Sequence, residues 1–219
     1  IEIGLGPDTR FERETLSLAD ARAEVRFVGK DTARVFVHAT EDVGMIEIKA
    51  KVPPVPRLIA PPFSGKAKTT GDTDTNTSDL ALLGYPAPVE THGDTWQAFA
   101  QEGAEGFRFA VFLAWNLKGG TWTAAWSVAS NKEGADPLAI ARARVEKALD
   151  AGSGAMFASH KAWWDAYWRR SSIRIPNPVI ERQWYLEQYK FGAASRRGHP
   201  PIRSEEHTSE LQSRQVPSY

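Results

Sequence analysis

Apolar and polar residues alternate along the first fifty positions. Ala23, Val25 and Phe27 are separated by Glu24 and Arg26, Val35, Val37 and Ala39 by Phe36 and His38, and Ile46 and Ile48 by Glu47. Period-two patterns with one polar face predict antiparallel strands half covered by a second layer. Three or four strands are expected between residues 15 and 50, with turns at Gly29-Lys30-Asp31 and Glu41-Asp42-Val43-Gly44. The pattern is lost over residues 51–93. Prolines cluster at Pro53, Pro54, Pro56, Pro61 and Pro62, and residues 66–79 are rich in Thr, Asp, Gly and Asn, so an irregular loop is expected. Strands resume at Thr95. Residues 107–115 are apolar almost throughout and read as a central strand, which Gly119-Gly120 turns back into residues 122–129. The whole span 14–129 predicts an antiparallel β-sandwich with Val25, Phe27, Val35, Val37, Ile46, Ile48, Phe109, Val111 and Leu113 on its inner faces.

The period then changes to helical. Asp136-Pro137 is a cap and first residue, and Leu138, Ala141, Val145, Ala148 and Leu149 form one stripe that Gly152 and Gly154 end. In the next helix Met156, His160, Trp163 and Tyr167 make one row, with Phe157, Trp164 and Trp168 beside it. Ile173 and Ile175 alternate with polar residues and read as a short strand. Asn177-Pro178 opens a last helix, in which Val179, Ile180, Trp184, Tyr185, Leu186, Tyr189 and Phe191 surround more than one stripe.

Composition narrows the function classes. The 219 residues include 27 basic and 27 acidic side chains, so charge gives no argument for nucleic acid as a partner. No apolar run approaches the ~18 residues of a membrane span. Cysteine is absent, which removes disulfides and thiol chemistry without fixing the compartment; secreted and periplasmic locations both stay open.

Candidate chemistry is sparse. Asp72-x-Asp74-x-Asn76 resembles the start of a calcium loop but lacks its glycine and distal glutamate, and reads as solvated loop. Ile3-Gly4-Leu5-Gly6-Pro7 lacks the spacing of a phosphate or dinucleotide loop. His160 has no second histidine three or four positions away, and His38, His92 and His199 are scattered, so a hydrogen-bonded structural histidine is expected. Glu181 and Glu187, six positions apart, do not share a helix face, and Asp165 is expected to pair with Arg169 or Arg170. Trp122 and Trp126 could offer a sugar-stacking platform, but core filling between two layers is the expected role. No catalytic, cofactor-binding or metal residue is assigned.

The order His160-x-x-Trp-Trp-x-x-Tyr-Trp-x-x-Ser, then Ile173-x-Ile-Pro-Asn-Pro, Glu181-Arg-x-Trp-Tyr-x-x-x-Tyr and Ala194-Ser-Arg-x-Gly-x-Pro-Pro resembles the six-hairpin glycosidases, large glycoside hydrolases related to families 65 and 95. The resemblance implies a mainly β fold with C-terminal helices: an antiparallel β-sandwich, linker helices, and the first helix of a truncated (α/α)6 barrel. It implies domains at 1–130 (sandwich), 131–176 (linker helices and short strand) and 177–202 (start of the catalytic barrel). Residues 203–219 resemble a translated sequencing adapter and are set aside. The family's catalytic carboxylates lie downstream, so the chain is expected to be a non-catalytic fragment whose carbohydrate substrate would engage the missing domain, with no cofactor. A free-standing carbohydrate-binding or interaction sandwich is the alternative. The truncated reading further expects the 178–195 helix to keep one apolar side bare, and would lose that support if Trp184, Tyr185 and Tyr189 were all mostly buried.

Overall fold

The computed structural model describes residues 1–7, 9–29, 31–49, 53–66 and 79–195. The calcium-like stretch, His199 and residues 203–219 lie outside them. The chain divides into two compact units, Ile1–Ala166 and Tyr167–Tyr219.

The first unit is an antiparallel β-sandwich of unequal layers, followed by helices. Its large layer is an eight-stranded sheet in the order β2-β3-β4-β5-β10-β9-β8-β7. The strands are β2 (Phe11–Ser17), β3 (Arg22–Phe27), β4 (Thr32–Val37), β5 (Gly44–Lys49), β7 (Val89–Gly93), β8 (Trp96–Glu102), β9 (Arg108–Lys118) and β10 (Thr121–Ser130). The small layer pairs β1 (Glu2–Gly4) with β6 (Val55–Arg57). Ile3, Leu5 and Leu58 pack with Ile46, Ile48, Leu113 and Trp122 on one face of the large sheet. Gln97 ties the layers together: its Oε1 accepts from the Leu58 N–H at 2.6 Å and its Nε2 donates to the Pro56 carbonyl at 3.2 Å.

The opposite face carries α1 (Pro137–Ala151). Ala141, Val145 and Ala148 are buried against Met45, Phe112, Ala125 and Ala129. The Asp136 carboxylate accepts from Ala139 N–H at 3.0 Å, and Gly152, at φ 83°, closes the helix in a conformation that favours glycine. Helix α2 (Ser153–Trp168) starts at once, so Gly154 belongs to it rather than ending α1.

Most of the expected inner-face residues are buried or half-buried, but Val37 is 64% exposed. It stands opposite Gly44, which offers no side chain to cover it, and the Trp126 indole lies over that glycine so closely that a Cβ there would overlap the ring. The described part of 51–93 is less irregular than its composition implies. It contains β6 and β7, and the strands resume at Val89 rather than Thr95. As an edge strand, β7 is exposed at four of its five positions and so lacks an alternating signature.

In the second unit, residues 171–175 form no strand. Two of their backbone groups are held by side chains of α3 (Pro178–Ala194): Ile175 N–H donates to Glu181 at 2.8 Å, and the Tyr185 hydroxyl donates to the Ile173 carbonyl at 3.0 Å. Asn177 caps α3 as expected, accepting from Val179 and Ile180 N–H at 3.0 and 3.3 Å.

Candidate functional site

Two histidines that the sequence scatters meet where α2 joins the β layer. His160 is fully buried. Its Nδ1 accepts from the Ala39 N–H at 3.1 Å, so the ring proton sits on Nε2 and is donated to the Asp20 carbonyl at 2.7 Å. His38 follows the same logic. Its Nδ1 accepts from Thr40 and Glu41 N–H at 3.2 and 3.0 Å, leaving Nε2 to donate to Ser159 Oγ at 2.9 Å. The two rings lie 5.8 Å apart, and Phe36, Phe157 and Trp164 surround His160. Both imidazoles spend both nitrogens on fixing two turns to one helix. His160 is hydrogen-bonded through both nitrogens, as expected of a helix histidine; its nearness to His38 left no sequence signal. His92 lies exposed on β7.

The candidate carboxylates are equally committed. Asp165 pairs with Lys161 one turn earlier, at 2.7 Å, instead of with Arg169 or Arg170. Glu181 holds the Ile175 N–H, and Glu187 binds Gln183 and Lys190. Glu24 is held below its usual range by hydrogen bonds from Arg26 and Arg34. Beside it, Arg34, Glu47 and Ser153 line a cavity of about 170 Å³, where Ser153 Oγ donates to Glu47 at 2.8 Å. Asp79 is the most saturated acceptor. It takes bonds from Ser64 Oγ at 2.6 Å and from the N–H groups of Ser64, Gly65, Ala81 and Leu82. The Ser64 hydroxyl, with the N–H groups of Ser64, Gly65 and Leu82, holds its pKa down to about 2. It thus clamps residues 64 and 65 to residues 79–82. Among the described residues, no group of three or more His, Cys, Asp or Glu could hold a metal ion.

The β-layer tryptophans fill the core. Trp122 is buried, Trp115 and Trp126 are half-buried in the same cluster, and Trp96 stacks on Phe112 at 5.5 Å. A larger cavity, about 650 Å³, opens where β8 ends and β9 and α1 begin, with Gln101, Glu102, Arg108, Phe109, Asp136 and Leu138 in its wall.

No protein-family model matches the chain, and no curated protein does. Its fold is similar to that of a protein described as a kojibiose phosphorylase. That solved structure, from human microbiome, aligns over 85% of this chain with a TM-score of 0.59 and 13% identity. The aligned part is 28% of the neighbour's own length. At that identity the likeness is one of fold. Among the described residues, no helix is long and apolar enough to cross a membrane.

Proposed function

We propose that this chain is the non-catalytic β-sandwich and linker part of a carbohydrate-active enzyme of the six-hairpin type, with α3 as the first helix of its (α/α)6 catalytic domain. The domains would run 1–130, 131–176 and 177–202. The observation that carries this reading is the fold likeness: 85% of this chain aligns with 28% of a protein described as a kojibiose phosphorylase. The His38–His160 junction, which fastens α2 to the sandwich, gives that linker the rigidity a neighbouring domain would need. The commitment of Asp165, Glu181 and Glu187 to helix and turn contacts supports a chain without its own acid–base pair. Burial of Trp122 within the core weighs against a tryptophan-lined binding module.

The test is turnover. The purified chain is expected to release no product from aryl glycosides, or from disaccharides with or without inorganic phosphate. Turnover abolished by a point mutation within residues 1–195 overturns the non-catalytic assignment. Genomic sequence that continues past residue 202 with several hundred residues of paired helices supports the domain reading; a stop codon there overturns it.

A further inference from the structure

We infer that the His38–His160 pair is an acid-released latch, which holds α2 on the sandwich only while both imidazoles are neutral. Both rings are buried. Each turns its Nδ1 lone pair to backbone N–H groups: His160 to that of Ala39, His38 to those of Thr40 and Glu41. A backbone N–H only donates, so neither Nδ1 can carry a proton in this arrangement. An imidazolium donates at both nitrogens. Protonating either ring therefore sets N–H against N–H and breaks the bonds that hold residues 39–41. For His160 it also places a charge among Phe36, Phe157 and Trp164. The ring centroids are 5.8 Å apart, so a second charge would be repelled by the first.

The charged groups around the pair are engaged with one another. Glu41 pairs with Lys147 of α1 at 3.1 Å, Asp42 with Arg144 of α1 at 3.0 Å, and Lys161 with Asp165 within α2 at 2.7 Å. Beyond Phe157, Arg34 pairs with Glu24 at 2.9 Å and Ser153 donates to Glu47 at 2.8 Å. Arg22 lies over the Phe157 ring at 4.1 Å and faces Asp20 at 3.8 Å. Asp20 Oδ1 is buried without a hydrogen-bond partner among the described residues. It does not rescue a protonated His160. The Asp20 carbonyl already takes the Nε2 proton, and the nitrogen that would gain one is Nδ1, which faces Ala39.

Proton linkage sets the sign. Released rings take up protons as pH falls through about 6.5, the ordinary imidazole value. Docked rings take up none, so the released state binds more protons and the latch weakens as pH falls. Well below that value, one ring makes release about tenfold easier per pH unit, and two make it about a hundredfold easier. Carboxylates titrate nearer about pH 4, which leaves the window above about pH 5 to the histidines. His92, exposed on β7, binds its proton in either state.

The experiment follows the full 219-residue chain from about pH 7.5 to about pH 5. Amide exchange, corrected for its intrinsic pH dependence, reads opening at residues 39–41 and 156–164, and ring-nitrogen NMR reads the two imidazoles. Opening is expected to rise towards about a hundredfold per pH unit below about pH 6.5. Both rings are expected to keep Nε2–H and no Nδ1–H for as long as those amides stay protected. His38→Asn offers an Oδ1 that can accept from the Thr40 and Glu41 N–H groups as an Asx turn, without titrating. It is expected to keep neutral-pH protection and to reduce the slope to about tenfold per unit. Opening that stays flat across the window overturns the latch, as does a ring that gains Nδ1–H while residues 39–41 remain protected. The full wild-type slope in His38→Asn removes His38 from it and overturns the pair. If that variant does not fold, the ring signals of the wild-type chain decide alone.

Discussion

Helices α2 and α3 have 16 and 17 residues, and each carries large aromatic side chains on more than one side. In α2, Met156, His160 and Trp164 are buried, and the β layer supplies what covers His160. In α3 the fully buried residue is Gly192, while Val179, Ile180 and Phe191 are 75%, 58% and 60% exposed. Ile180 and Phe191 lie three turns apart on one face. Apolar density in a sequence therefore reports an appetite for neighbours, and the fold decides which helix finds them.

The aromatic residues of α3 do not follow the bare-side expectation. Trp184, Tyr185 and Tyr189 are each mostly covered. Tyr185 packs on Trp168 at 5.8 Å, the Tyr167 hydroxyl donates to the Gln188 carbonyl, and burial pushes the Tyr189 phenol above its usual value. By the criterion set on those three rings, the helix gives the truncated-barrel reading no support. That reading stands on the fold likeness, and the open part of α3 is the aliphatic and phenylalanine positions.

The contrast can be broken by mutation, and the largest effect should come from α2. Trp164→Ala removes a side chain 1% exposed and should cost about 3–5 kcal/mol in urea unfolding. His160→Leu should come next, at about 2–4 kcal/mol, because it orphans the Ala39 N–H and the Asp20 carbonyl. A loss near zero for either would mean that α2 is not anchored as described.

Acid should act on the first unit more locally. Asp79 has its folded pKa lowered to about 2 from the usual 3.8. A depressed carboxylate contributes stability that is present above its unfolded pKa and lost as pH falls through the folded one. Residues 64 and 79–82 should therefore loosen between about pH 4 and pH 2, read by their amide exchange, and Asp79→Asn should loosen them at neutral pH. Unchanged protection in that window would remove the clamp from the account.

The smallest effect belongs to the open positions of α3. Val179→Ser and Phe191→Ser should each change unfolding free energy by no more than ~0.5 kcal/mol. A loss above about 2 kcal/mol would show that these side chains are packed after all.

What could be read ahead of the structure followed locality. Period-two alternation in β3, β4 and β5, the Asp136 and Asn177 caps and the α1 stripe all obey rules spanning a few residues. Ile173 and Ile175 show the limit of those rules, since alternation mimics a strand where no neighbouring strand exists. β7 fails in the opposite way: with its residues wet on both faces, pairing alone makes it a strand. The Ala39–His160 bond joins residues 121 positions apart, and nothing near either residue announces it.

Residue-resolved hydrogen exchange tests the contrast between the two helices most directly. Amides of α2 from 156 to 164 are expected to exchange only on global unfolding, in step with β9 and β10. Amides at both ends of α3 are expected to exchange by local opening, well before them. Equal protection along both helices would contradict the account.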